Sequence, residues 1–183
     1  MGVGGRWIVL LFLVAVSAQA TFPEQLHFSA EDDHVKRPVR LPPAAIQALS
    51  KEKSLRGSME DAQVTLAPQS WFLASVVHLH TKDEADLLVE ATGPLAGGNV
   101  SNFWILVPAV QGYTVILAGP AHDLLVRRGR SNGYRNIELD SMTASAIDVA
   151  DVRFDGKAYK LYKDKIQKIK KPTAPRAIDK LEM

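Results

Sequence analysis

The fold is decided by residues 71–79, which read Trp71-Phe72-Leu73-Ala74-Ser75-Val76-Val77-His78-Leu79. Apolar side chains stand at both odd and even positions of this run. An extended strand with this sequence would therefore present an apolar surface on each of its two faces. Strands of that kind are covered on both faces in folded proteins. We therefore predict a strand here that lies between two other layers.

Further short runs with strand character follow this segment. They cover residues 86–91, 103–107, 113–117, 123–128, 134–140, 146–154 and 158–162. Turn formers separate them: Asn132-Gly133 and Asp155-Gly156 are the strongest hairpin signals, and Gln111-Gly112 and Gly119-Pro120 are also predicted as turns. No long helical pattern is available for parallel crossovers. We predict a mainly β fold, an antiparallel sandwich, barrel or blade-like domain of seven to eight short strands.

The residues before this region have a different character. Residues 21–36 are polar and without a period, and we predict a loose leader there. Pro43, Ile46 and Leu49 have the spacing of a short helix over about 43–52, with the proline in its first turn. Residues 51–61 are predicted as a loop. The expected organisation is an N-terminal leader with a short helix over 21–63 and a β domain over 64–162.

The first twenty residues have the pattern of a secretory signal peptide. Arg6 precedes ten apolar residues, 7–16, and the segment ends in Ser17-Ala18-Gln19-Ala20. A membrane-spanning helix needs about 20 apolar residues, so this run is too short for one. We expect cleavage after Ala20, a periplasmic or secreted location, and no transmembrane span in the processed chain.

The composition is that of an ordinary globular protein. The chain has 183 residues, of which 46% are apolar, and its formal net charge is +2. Cysteine is absent, which excludes disulfides, thiolate metal sites and a cysteine nucleophile. The processed chain must therefore be stabilised by its hydrophobic core, for which its length is sufficient.

A lysine-rich flank is predicted over residues 163–183. Seven lysines and one aspartate lie between positions 157 and 171. Two interpretations stay open: contact with an anionic surface such as lipid head groups or an acidic polymer, and a solvated flank that serves solubility. Nucleic acid is not expected as a partner, because the chain is exported and stacking aromatics are scarce here. The candidate contact residues are Lys163, Lys165, Lys168, Lys170 and Lys171.

Two patterns could carry catalysis. Residues 129–133 match the G-x-S-x-G pattern of a hydrolase nucleophile elbow, but a strand is predicted directly after them and no histidine follows. A decorated β-turn is the better interpretation. His78 and His80 would point to one face of a strand, and His122 could complete a metal site with them. Half-buried, hydrogen-bonded histidines are the alternative.

The glycine-rich loop over residues 93–102 is the first candidate for a ligand contact surface, because loops on a rigid β scaffold commonly carry recognition. An exposed tryptophan beside it would mark a ligand patch. The candidate residues are Gly97, Gly98, Asn99, Asn102 and Trp104.

Several segments, taken in their order along the chain, resemble those of a known family. They are the run 71–79, Asp86-Leu87-Leu88-Val89, residues 93–99 with Phe103-Trp104-Ile105, His122-Asp123-Leu124, residues 132–137 and Phe154-Asp155-Gly156-Lys157-Ala158-Tyr159. They resemble uncharacterised exported bacterial proteins that share a single β-rich module, and the similarity runs from about Val39 to Tyr162. The resemblance implies export and a β domain, and it brings no established activity. The repeated Asp-Leu-Leu-Val is also similar to FG-GAP-type propeller blades, although the calcium-loop aspartates of those blades are missing.

Together these observations predict an exported, non-enzymatic binding or interaction module without a cofactor. Its partner would be an unknown envelope component or protein. Two alternatives stay open. One is a metal-dependent envelope hydrolase that uses the histidines, and the other is a protein inhibitor of an envelope enzyme.

Overall fold

A computed structural model describes residues 24–31 and 35–169. The predicted signal peptide, Lys170 and Lys171 lie outside these residues. Within them the chain forms nine strands and two short α-helices, so the predicted mainly β fold is confirmed. The elements are β1 His27–Ser29, α1 Pro43–Leu49, α2 Arg56–Asp61, β2 Phe72–Val77, β3 Asp86–Ala91, β4 Ser101–Ala109, β5 Gly112–Ala121, β6 Asp123–Ser131, β7 Tyr134–Met142, β8 Ala146–Phe154 and β9 Tyr159–Lys168.

The strands form two antiparallel sheets. The five-stranded sheet has the order β1-β6-β7-β8-β9, and the four-stranded sheet has the order β2-β3-β4-β5. Side chains from both sheets, among them Phe28, Phe103, Ile105 and Ile137, form one hydrophobic core. The architecture is therefore a sandwich and not a closed barrel.

A second core covers the other face of the four-stranded sheet. In this cluster, the helical core, Trp104 and Leu106 of β4 pack with Leu49 of α1, Met59 of α2 and Leu55, which directly precedes α2. The four-stranded sheet thus lies between the helices and the five-stranded sheet. This confirms the prediction from residues 71–79, since apolar side chains on both faces of β2 each have a layer to pack against.

Three hairpin turns were correctly predicted from local sequence. One is at Gln111-Gly112 between β4 and β5, where Gly112 has a φ of +103°. Asn132 and Gly133 both have positive φ, +47° and +86°, and join β6 to β7. Gly156 has a φ of +104° between β8 and β9. The predicted turn at Gly119-Pro120 is wrong, because both residues lie within β5. Proline is tolerated there since β5 is an edge strand.

Three other predictions for the sequence outside the central strands are corrected. The leader over 21–36 contains β1, which pairs with β6 because Phe28 is buried in the core between the sheets. The loop predicted over 51–61 contains α2, whose Met59 packs in the helical core. The lysine-rich flank does not begin at residue 163, because β9 continues to Lys168 through its pairing with β8. The predicted helix over 43–52 is present but ends at Leu49.

None of the helices formed by residues 24–31 and 35–169 is both long and apolar enough to cross a membrane.

Candidate functional site

A groove of about 560 Å³ lies where the N-terminal segment passes over the end of β2. Its apolar lining comes from Leu26, Val39 and Val76, which belong to the margins of the two cores. Its polar lining is Glu24, Gln25, His27, Lys36, Arg37, Ser75 and His78. The volume is within the range of small-molecule sites, roughly 300–1,000 Å³.

The position of the groove follows from how the chain approaches the sheet edge. Val39 forms an isolated antiparallel bridge with Ala74, and its N–H donates to the Ala74 carbonyl at 2.8 Å. Successive residues of a strand direct their backbone groups to opposite edges, so those of Val76 face the same edge as those of Ala74. The chain reaches this edge only at Val39. Residues 35–38, which precede Val39 and in an antiparallel pairing would lie opposite Val76, form no bridge with β2, and the groove opens there.

Glu24 closes one end of the groove. Its Oε1 accepts the backbone N–H of His78 at 2.6 Å, and its Oε2 lies 3.2 Å from Nη1 of Arg135. The negative charge of Glu24 is therefore compensated within the protein. Lys36 and Arg37 on the rim are exposed cations, which makes the groove favourable for an anionic group.

His27 connects the groove to a network of ionisable side chains. Its Nε2 lies 3.1 Å from Oδ1 of Asp123, whose Oδ2 lies 3.0 Å from Nδ1 of His122. On the far side, His122 Nε2 lies 3.4 Å from Oε1 of Glu31, an ion-pair distance that is long for a hydrogen bond. This network ties β1, and Glu31 two residues after it, to the start of β6.

The protonation states of His122 and Asp123 in this network are coupled. Burial alone lowers the pKa of His122, but its hydrogen bond to Asp123 and the charges of Asp123 and Glu31 outweigh burial and raise the pKa above its ordinary value. For Asp123, burial acts to raise the pKa, and hydrogen bonds from Ser29, His122 and His27 outweigh it and lower the pKa. These interactions therefore favour a protonated His122 beside an ionised Asp123.

Asp140 adds a second carboxyl group beside Asp123. The two residues are direct partners in the register of β6 and β7. Burial raises the pKa of Asp140, and the charges of Glu138 and Asp123 raise it further. Protonation of Asp140 is favoured because it relieves the repulsion between like charges.

The three histidines predicted as a metal site each face a different carboxylate. His78 contacts Glu24, His80 lies 3.1 Å from Glu84, and His122 contacts Asp123. Across residues 24–31 and 35–169, no three His, Asp or Glu side chains are arranged to hold a metal ion. The predicted site is corrected: β2 ends at Val77, so His78 and His80 do not share one face of a strand.

His80 has a structural environment of its own. Its ring stacks on Tyr134, with centroids 4.9 Å apart. Arg130 Nη1 donates to the carbonyls of Leu79, His80 and Gly133 at 2.6–2.8 Å. These contacts fasten the loop after β2 to the β6–β7 turn.

The predicted ligand loop does not form one surface. Trp104 is fully buried against the helical core, which corrects its assignment as a ligand contact. Gly97 lines a small cavity of about 40 Å³, whereas Asn102 lines a different groove beside Gly119 and Pro120. Gly98 and Asn99 are exposed.

The G-x-S-x-G pattern forms the end of β6 and a hairpin turn in the structure. Ser131 ends β6, and its hydroxyl donates to Oδ1 of Asn136 at 2.8 Å. A strand and not a helix follows the turn, so the geometry of a nucleophile elbow is absent here. Of the predicted contact lysines, Lys163, Lys165 and Lys168 lie exposed on β9.

Sequence reasoning missed most of the groove, because residues 21–36 are predicted as a loose leader. One local signal was present: Leu26 and Phe28 alternate with His27 and Ser29, which is the period of a half-buried strand. The approach of Glu24 to Arg135 joins residues 111 positions apart, and no local pattern predicts it.

Comparison with protein-family models, curated proteins and solved structures returned no match to this chain. The resemblance to exported β-rich proteins and to FG-GAP-type blades therefore stays a prediction.

Proposed function

We propose that this protein is an exported, non-enzymatic binding module, and that the groove beside Val76 takes a ligand with an apolar chain and one anionic group. The observation that carries the proposal is the pairing of an apolar floor, Leu26, Val39 and Val76, with the cations Lys36 and Arg37 on the rim. Apolar pockets with a few convergent polar groups are the usual form of small-molecule sites.

The electrostatics of the groove support an anionic ligand. Glu24, its lining carboxylate, is already paired with Arg135 and contacts His78. Lys36 therefore faces no uncompensated carboxylate of the groove. A ligand carboxylate, phosphate or sulfate would gain from Lys36, and its apolar part would cover the floor.

The surroundings of His27 are relevant to the alternative of a hydrolase that uses the histidines. Asp123 orients its ring in the manner of a general base. Within residues 24–31 and 35–169, however, the only side-chain hydrogen bond of this ring is to Asp123, and no serine or threonine hydroxyl pairs with it as a nucleophile would. Export is part of the proposal and rests on residues 1–20.

The test is calorimetric titration of dodecanoate into the protein purified after expression of the full chain. Dodecyl maltoside serves as an uncharged probe with the same alkyl chain, and both are kept below their micelle concentrations. We expect saturable one-to-one binding of dodecanoate and binding of the maltoside that is about tenfold weaker or less.

The matched variants reverse the same amount of charge at two places. Lys36→Glu with Arg37→Glu should weaken dodecanoate binding by about tenfold or more. Lys157→Glu with Lys160→Glu, on the β8–β9 hairpin and outside the lining of the groove, should leave it unchanged. Absence of saturable binding, or an equal loss in both double variants, would overturn the proposed function.

A further inference from the structure

Strand β9 is an unusually exposed edge of the five-stranded sheet. It spans ten residues, and every residue after Tyr159 is exposed. Within the described ranges 24–31 and 35–169, it pairs with β8 on one side only. Long exposed edges are templates for pairing with another strand. The groove and its ligand have no part in this feature.

The backbone of β9 presents unpaired groups to solvent. The N–H of Ile169 donates to the Ser145 carbonyl at 2.9 Å, and the register continues through Gln167 opposite Ile147 and Lys165 opposite Val149. These odd-numbered residues therefore direct their N–H and C=O groups toward β8. By the alternation of an antiparallel ladder, Asp164 and Ile166 direct theirs to the open edge.

The two faces of β9 differ in character. Val152 is buried between the sheets and is the register partner of Leu161, so Leu161 points to that side and Ile166 follows it. Leu161 and Ile166 are 62% and 69% exposed. Lys163 and Lys165 stand opposite Asp151 and Val149 on the outer face.

The lysines of this strand are not neutralised by the protein itself. The nearest acidic residue across the sheet, Asp151, is engaged by Arg153 at 3.0 Å. Over the described ranges 24–31 and 35–169, no carboxylate lies within 4 Å of the ammonium groups of Lys160, Lys163 or Lys165. Among the described residues, Lys163 and Lys165 on the outer face of this edge therefore have no ion-pair partner.

We propose that β9 is a docking edge for an extended, acidic segment of a partner protein, which adds to the sheet as a sixth strand. Acidic side chains at alternate positions would face Lys163 and Lys165, and apolar side chains between them would cover Leu161 and Ile166. The new backbone hydrogen bonds would use the groups that Asp164 and Ile166 direct outward.

Two other occupants fit the edge less well. A second copy of β9 would bring lysines against lysines, which is destabilising. A lipid surface would attract the lysines, but its apolar region offers no partners for the backbone groups of the open edge. A strand with acidic side chains satisfies both the charge and the backbone.

The experiment measures fluorescence anisotropy of a labelled ten-residue peptide of alternating Glu and Val, titrated with protein purified after expression of the full chain. A peptide of alternating Lys and Val is the charge control, and sedimentation with phosphatidylglycerol vesicles tests the lipid surface. We expect the acidic peptide to bind, with an affinity that falls as salt rises, and the basic peptide not to bind.

Two pairs of variants distinguish the contribution of the lysine charges from that of the backbone hydrogen bonds. Lys163→Glu with Lys165→Glu should weaken peptide binding about tenfold or more, whereas Lys51→Glu with Lys53→Glu should not change it. Ile166→Pro removes an edge-facing N–H while leaving the ladder to β8, and it should abolish binding. Ile166→Ala keeps that N–H and should weaken binding only a few-fold.

Each variant is first checked by urea unfolding, so that a lost fold is not taken for a lost contact. Unchanged peptide binding in Ile166→Pro would overturn strand addition. Equal binding of the two peptides, no binding of the acidic one up to millimolar concentration, or binding of vesicles alone would overturn the acidic partner. Dodecanoate binding in the same variants shows whether the groove is intact, so the two proposals can fail separately.

Discussion

At the scale of single residues, Asp123 has the most connected side chain of the candidate site. It contacts His27 and His122, and Ser29 also donates to it. Strand β1 has only three register partners in β6, so its attachment relies on side chains as well as on the ladder. A carboxylate at this position holds the edge strand, and with it one wall of the groove.

The raised pKa of His122 predicts a pH dependence of stability. A group whose pKa is higher in the folded protein stabilises it fully below the unfolded pKa, here 6.5, and this contribution is lost as pH rises through the folded pKa. We expect the free energy of unfolding, from urea titrations between about pH 5.5 and about pH 8.5, to fall with rising pH over this window.

The variant His122→Gln isolates this contribution. It retains a polar side chain beside Asp123 and Glu31 but does not titrate, so its stability should change less across the same window. An equal slope in variant and wild type would contradict the assignment. The lowered pKa of Asp123 acts in a different range, since its contribution is present above 3.8 and is lost as pH falls further.

At the scale of elements, the loop between β3 and β4 depends on one glycine. A Cβ built on Gly97 would lie 2.3 Å from the carbonyl oxygen of Val100, whereas one on Gly98 would meet nothing within 4 Å. We expect Gly97→Ala to lower the free energy of unfolding by about 1–3 kcal/mol, because the backbone must shift. Gly98→Ala should stay within about 0.5 kcal/mol in the same urea titrations, and equal effects would contradict this account.

The elements also show which local sequence signals are sufficient to predict a turn or a helix. Asn132-Gly133 predicts its hairpin because both residues must adopt positive φ, a requirement that is independent of the rest of the fold. Gly119-Pro120 misleads, since an edge strand accepts a proline that a central strand would reject. Leu55 and Met59, four residues apart, are the one apolar pair that marks the helical region over 53–61.

At the scale of the whole molecule, the four-stranded sheet is one wall of two cores. Trp71 and Trp104, the tryptophans of the described ranges, both belong to the helical core, while Phe103 and Ile105 face the other sheet. Neighbouring residues of β4 thus couple the two cores directly. Loosening either core should therefore destabilise both.

This coupling predicts a single unfolding transition. Leu49 of α1 is fully buried, and Leu49→Ala should lower the free energy of unfolding by about 2–5 kcal/mol. The midpoint should shift equally by tryptophan fluorescence, which reports the helical core, and by far-UV circular dichroism, which reports all strands. Leu161→Ala on β9 is the control and should stay within about 0.5 kcal/mol. A shift in fluorescence alone would show that the layers unfold separately.

The amino-acid sequence by itself determined the strand segments and the hairpin turns, because apolar runs and positive-φ residues act over a few positions. It also indicated that the segment over 71–79 is covered on both faces. Only the tertiary structure decided the order of the strands, the place of β1 beside β6, and the groove. Those features depend on contacts such as Glu24 with Arg135 and His27 with Asp123, about a hundred residues apart. Long-range pairing is selected by the packing of the whole core, and no local pattern in the chain encodes it.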